Sequence, residues 1–263
     1  LVNGQFGYYG INSFDPKSVS IAAEKAQLQA KLASKHAIYK FDEKARPSFQ
    51  GEYTSPREKP LNSISPSDLN TLLFQINNAL KVSNEVISVS ALARIVETEQ
   101  EIVSSNGSDI NQDFNLITFD MSATASDGTI FQTRTNAGSR GYSRQVGSEV
   151  FENTDEIIRA ARTIGEEAVE LVKSEECPTE VMDLLLAPDQ MMLQIHESVG
   201  HATEIDRILG DERNYAGWSF VRLDDFGKLK YGSDLLNITF DPSVKSELAS
   251  YAFDDGGLRA EKE

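Results

Sequence analysis

A chain of 263 residues with 25 Lys+Arg against 41 Asp+Glu, a formal net charge of −16, 40% apolar residues, one Cys and three His has the composition of an ordinary soluble globular protein. That charge leaves no basic footprint to neutralise phosphates, which disfavours direct nucleic-acid binding, and it disfavours acidic membrane surfaces likewise. No apolar run approaches the roughly 20 residues needed to span a bilayer, and Cys177 alone builds neither a disulfide framework nor a zinc ribbon, so no membrane association and a reducing, cytoplasmic location are expected.

The opening Gly-rich segment with Phe6, Tyr8 and Tyr9 reads as a strand near its turn. Asp15-Pro16 then offers an N-cap and a first helical position, and the helix it starts has Val19, Ala22, Ala26 and Leu28 on its apolar face. Residues 41–63 hold Pro47, Gly51, Pro56 and Pro60 among charges and read as a surface connection, after which Ser65-Pro66-Ser67-Asp68 opens a second helix to about Lys81. The periodicity then shortens. Val86 to Thr98, Gln100 to Ser104, Phe114 to Met121 and Thr129 to Thr135 are rich in β-branched and aromatic residues and are broken by Asn106-Gly107 and Asp127-Gly128, the pattern of an antiparallel meander.

A third helix is predicted from about Thr154 to Lys173, with Asn153 or Thr154 as cap and Ile157, Ile158, Ala161, Ile164, Ala168, Val169 and Leu171 as its stripe. Pro178 marks a boundary. Beyond it, Val181 to Ala187 reads as a buried strand, Pro188-Asp189 punctuates it, and a helix is predicted from near Gln190 past Glu204. The fold class is therefore α/β of the α+β type: an N-terminal domain over residues 1–177 that combines helices with antiparallel sheet, then the start of a second domain over 178–263. Leu1 is not an initiator Met, and the chain stops a few residues after Gly256-Gly257, so both domains are expected to be parts of a longer protein.

Two of the three histidines lie in His196-Glu197-Ser198-Val199-Gly200-His201. Paired imidazoles with a carboxylate beside the first are the parts of a metal centre with a general base. The spacing is awkward, because five residues turn about 140° on a regular α-helix and place the two rings on different faces. A local π-type turn with i→i+5 bonding brings them together, and Gly200 makes such a distortion cheap. Two imidazoles then supply two ligands, a third comes from elsewhere, and an open position holds a water whose proton Glu197 takes. The alternative is a solvated polar helix face with no metal. Glu204 and Asp206 are candidates for outer partners of the imidazoles or for a third ligand, or else solvated acids on a helix end. His36, on the first helix, reads as a surface residue, and Cys177 as a buried or idle thiol. Trp218 reads as a core or interface anchor ahead of a cleft-lining residue. Gly138-Ser139-Arg140-Gly141-Tyr142 reads as a flexible loop and not a phosphate cradle.

The stretch Leu-Leu-Leu-Ala-Pro-Asp-Gln-Met-Met-Leu-Gln-Ile-His-Glu-Ser-Val-Gly-His-Ala-Thr-Glu-Ile-Asp, from Leu184 to Asp206, resembles the signature of the TldD/PmbA family of metallopeptidases. The match falls on His196, Glu197, Val199, Gly200, His201, Glu204 and Asp206, and the His-Glu-x-x-x-His motif places the chain on the TldD-like branch. The Gly-Phe-Gly-Tyr-Tyr opening, the hairpins, the helix before Pro178 and Asp254-Asp255-Gly256 are similar to the family more loosely. The resemblance implies a metal-dependent peptidase for short or unfolded peptides, with His196 and His201 as metal ligands and Glu197 as catalytic base for a metal-bound water. It implies zinc first and iron as a second choice, a third ligand from a Cys downstream of the motif and absent from this sequence, and residues 178–263 as the beginning of a C-terminal metallopeptidase domain. It further implies a cytoplasmic homodimer, or a heterodimer with a PmbA/TldE-like paralogue, with a peptide substrate and no direct contact to DNA despite the family's older label, modulator of DNA gyrase. The competing functions are a catalytically inactive peptide-binding or assembly subunit of the same kind of complex, and a nucleic-acid-directed regulator.

Overall fold

The computed structural model describes residues 1–37, 39–42, 47–138 and 142–263. The described residues divide into two compact units, one of Leu1–Glu52, Gln100–Asn111 and Ala252–Ala260, the other of Tyr53–Glu99, Gln112–Tyr251 and Glu261–Glu263.

In the first unit, helix α1 runs from Pro16 to Ala33, and Asp15 caps it by accepting from the amides of Lys17 (3.1 Å) and Ser18 (3.0 Å). Its inner face differs from the expected stripe: Val19 and Leu28 are exposed, whereas Ala22 and Ala26 are half-buried and Ala30 is buried. Small side chains are needed there because the N-terminal segment crosses close to the helix, where a Cβ on Gly7 would lie 1.8 Å from the Ala26 carbonyl oxygen. That segment is not the predicted strand. It makes one isolated bridge, Val2 to Gln5, around the positive-φ pair Asn3 and Gly4, and then lies along α1 with Phe6 edge-on to Phe41 at 4.9 Å. His36 is exposed, three residues past the end of α1 and not within it.

Among the described residues the sheet has five strands: β1 (Gln50–Thr54), β2 (Val86–Val103), β3 (Asp109–Ser126), β4 (Phe131–Thr135) and β5 (Ser143–Arg144). Its order is β1-β3-β2, with β4 and β5 also paired to β3. Two expectations are corrected here. The presumed surface connection over 41–63 contains β1, and the two short segments on either side of Glu99 form the single strand β2. β2 and its sheet neighbour β3 are each 18 residues long, and cross-strand partners, more than the local run over 97–101, decide strand length. β4 pairs antiparallel with β3 from Ser122↔Thr135 to Ser126↔Phe131. The predicted turn glycines sit where a left-handed backbone is required, Gly107 at φ +99 and Gly128 at φ +98.

In the second unit, α2 (Pro66–Leu80) and α3 (Thr154–Val172) start and stop close to their predicted ends, capped by Ser65 and Asn153 respectively. They enclose a core with alternate residues of β3: Leu72, Ile76 and Leu80 with Ile117, Phe119, Met121, Ala123 and Ala125, and with Ala161, Ile164, Ala168 and Val172. The period of two on β3 and of about 3.6 on the helices is what turns these side chains to one side. Gly165 permits the close crossing of α2 and α3, since a Cβ there would lie 2.2 Å from the Leu80 carbonyl oxygen. Gln145, 1% exposed, accepts from Tyr53 Oη (2.7 Å) and Ser55 Oγ (2.6 Å) and donates to the carbonyls of Leu248 (3.0 Å) and Ser250 (2.6 Å). All four bonding positions of this buried amide are thus satisfied.

Beyond Pro178, the predicted buried strand Val181 to Ala187 does not form. The segment has no strand partner among the described residues and leaves Val181, Leu184 and Leu185 exposed, as apolar character cannot make a strand without a neighbour to receive its hydrogen bonds. Pro188 then begins α4 (Pro188–Ile195), which continues through a π-turn at His196–Gly200 into α5 (His201–Thr203). The helix stops there and not beyond Glu204, whose backbone is extended (φ −61, ψ 122); α6 (Ile205–Leu209) follows and ends at Gly210, φ +89. Among the described residues no helix is long and apolar enough to cross a membrane.

Candidate metal centre

The amide of His201 donates to the carbonyl of His196, an i→i+5 bond of the kind the histidine spacing calls for. It widens the helix by one residue and turns both rings to the same side, with centroids 4.4 Å apart and planes at 75°. Glu197 completes the group. Its two carboxylate oxygens stand 4.0 Å from His196 Nε2 and from His201 Nε2, and one ligand atom from each of the three residues lies within 4.8 Å of the others. Among the described residues no other set of three or more His, Cys, Asp and Glu side chains comes this close. The turn does not depend on Gly200 as expected: that residue has ordinary right-handed dihedrals (φ −52, ψ −63), and the nearest atom to a Cβ there would be the Ile195 oxygen at 3.9 Å.

The break at Glu204 serves the site. With its backbone extended, Glu204 returns its carboxylate to His201, Oε1 lying 2.8 Å from Nδ1. A carboxylate there fixes the hydrogen on Nδ1 and leaves the Nε2 lone pair facing Glu197 and His196. The other oxygen accepts from Arg207 Nε, and Arg207 Nη1 donates to the carbonyl of Ala216 at 2.8 Å. The bond to His201, followed by that to Arg207, holds the Glu204 carboxyl below the usual range. Asp206 is not drawn in: it is exposed, outside the three-residue group, and accepts from the Arg207 amide at 2.7 Å.

Arg207 was not evident from sequence, although a basic residue three positions after Glu204 on a helix start is a recognisable pairing signal. The expected buried or idle state of Cys177 resolves to an exposed thiol. Trp218 is 67% exposed with the Arg213 guanidinium 5.4 Å from its ring centre, so it is no core anchor. Residues 139–141 of the Gly-rich loop lie outside the described residues.

Two imidazoles and a carboxylate on one turn, with one imidazole held from behind by a second carboxylate, are donors of the kind that bind transition-metal ions. Two family models match the chain: the PmbA/TldA metallopeptidase central domain over residues 59–175 and the PmbA/TldA metallopeptidase C-terminal domain over residues 179–263. The chain belongs to the PmbA/TldD family. A metalloprotease of Methanothermobacter thermautotrophicus is 29% identical over 204 residues, which are 77% of this chain and 41% of that protein. One of Methanocaldococcus jannaschii is 23% identical over 266 residues, 100% of this chain and 54% of its own length. The chain therefore spans about half the length of these relatives. A crystal structure of a candidate modulator of a DNA gyrase from Thermotoga maritima aligns over 100% of this chain and 55% of its own, with a TM-score of 0.64 and 16% identity, and shares the fold.

Proposed function

We propose that this chain carries the metal-binding part of a peptidase centre, with His196 and His201 as ligands and Glu197 as general base. The observation that carries the reading is the π-turn, which faces the two Nε2 atoms toward the two oxygens of one carboxylate, each at 4.0 Å. The donors suit a borderline cation such as zinc, and iron as a second choice. The family resemblance implies a third ligand from a cysteine thiolate downstream of the motif and absent from this sequence; among the described residues only Glu197 joins the two imidazoles. When bound, such an ion polarises the peptide carbonyl and makes water acidic enough to attack near neutral pH.

The chain's own residues do the rest. Glu197 is 61% exposed at its side chain, open to substrate, and its carboxylate accepts the proton of the attacking water and returns it to the leaving amine. Glu204 holds the His201 ring in one tautomer, and Arg207 holds Glu204. The substrate class is a short or unfolded peptide, handled in the cytoplasm by a dimer with a second copy or a paralogous subunit; the charge of −16 argues against DNA as a ligand. The test is peptide hydrolysis by the complete protein, with the segment that carries the downstream cysteine. Activity that is removed by a chelator, restored by zinc and reduced about 10²- to 10⁴-fold in Glu197→Gln supports the reading; zinc-loaded protein with undiminished hydrolysis in Glu197→Gln refutes it.

A further inference from the structure

A π-turn is a local compromise, since the same residues can relax to an α-helix in which His201 swings about 140° from His196. Something must hold the wider turn, and Gly200 does not. The carbonyls of Ser198, Val199 and Gly200 in the turn, and of Ala202 in the short helix after it, accept from hydroxyl groups. Thr203 Oγ1 donates to the carbonyls of Val199 (3.0 Å) and Gly200 (3.2 Å). Ser219 Oγ donates to Ala202 (2.5 Å) and itself accepts from the Val221 amide (3.0 Å). Tyr231 Oη donates to Ser198, the carbonyl in the middle of the turn. Thr203 is local and Ser219 binds the helix end, but Tyr231 reaches back 33 residues to the turn itself. Its ring packs against Phe220 at 5.6 Å, next to the residue that tethers the helix end, so the segment from Ser219 to Tyr231 holds the turn at Ser198 and the helix after it at Ala202.

We infer that Tyr231 is a positioning residue: its hydroxyl, bonded to the Ser198 carbonyl, latches the π-turn and so keeps His196 and His201 on one face for the metal. The inference rests on the metal-site reading above. It acts through the backbone and needs no contact between the phenol and either the ion or the peptide. The hydroxyl offers one directed donor to a carbonyl that lies between the two histidines in sequence, and removing that donor frees the turn to relax while the aromatic packing stays.

The test compares the complete wild-type protein, with the segment that carries the downstream cysteine, with Tyr231→Phe, using Tyr215→Phe, at a residue 93% exposed, as a control. Two quantities are read: the proton–proton contact between the His196 and His201 rings by NMR in metal-free protein, and the zinc affinity by chelator competition, supported by the visible spectrum of the cobalt(II) form. The latch predicts that Tyr231→Phe loses at least about half of the ring contact, binds zinc about tenfold more weakly and shifts the cobalt spectrum, with an unchanged metal-free melting temperature. Retention of the wild-type ring contact, or of the wild-type zinc affinity, overturns it. If the wild type binds no zinc but the ring contact still falls in Tyr231→Phe, the latch stands and the peptidase reading fails. If wild-type zinc binding and hydrolysis are normal and Tyr231→Phe matches them, the reading stands and the latch fails.

Discussion

His201 Nδ1 lies 2.8 Å from Glu204 Oε1, on the ring edge opposite the nitrogen that faces Glu197. One imidazole thus has both nitrogens committed, one to a carboxylate behind it and one to the open side of the turn. Glu204→Ala removes the rear partner and leaves the ring free to rotate and to change tautomer. Its expected effect is a loss of zinc affinity of about 10- to 100-fold, measured by competition with a chelator of known strength, and Glu204→Gln is expected to recover part of it by accepting through its amide oxygen.

Gly200→Ala is expected to leave the site intact. The backbone is right-handed and a Cβ meets nothing closer than 3.9 Å, so the methyl group fits and the helix gains up to about 1 kcal/mol of intrinsic preference. Zinc affinity within about twofold of wild type is the expected result, since a twofold change is only about 0.4 kcal/mol. A collapse of binding would mean that the turn needs glycine's freedom after all.

The contrast between Gly200 and Gly165 shows what a sequence reveals and what it hides. Both look like tolerated helix glycines, and only packing separates them: Gly165 faces the Leu80 carbonyl across the α2–α3 crossing, where a Cβ would sit at 2.2 Å. Gly165→Ala is therefore expected to force the helices apart and destabilise the protein by about 2 kcal/mol, read from the denaturation midpoint. The local signals were legible: Ser65-Pro66, Asn153, the Asn106-Gly107 and Asp127-Gly128 turns, and the five-residue histidine spacing that called for a π-turn. Non-local features were not. Val181 to Ala187 has the composition of a buried strand but no neighbour among the described residues. Arg207 leaves only a local i,i+3 pairing signal after a backbone break at Glu204, and Tyr231 makes a contact 33 residues distant that leaves no periodic trace.

The start of α1 should respond to pH. Hydrogen bonds from the side chains of Ser18 and Ser13, then from the Ser18 amide, lower the Asp15 carboxyl from 3.8 to about 2. Because the folded value lies below the unfolded one, the carboxylate stabilises the helix start fully above about pH 4, and that contribution disappears as the pH falls through about 2. The amide shifts of Lys17 and Ser18 are expected to titrate with a midpoint near 2, and Asp15→Asn is expected to abolish that step while keeping the cap.

The central claim is that the π-turn makes His196 and His201 a metal-binding pair. Zinc content per chain, measured after equilibration with zinc and removal of the excess, tests it in the complete wild-type protein, downstream cysteine included, against a His196→Ala/His201→Ala variant of unchanged folding. The account predicts close to one equivalent in the wild type and essentially none in the variant; a variant that retains the wild-type equivalent would contradict it.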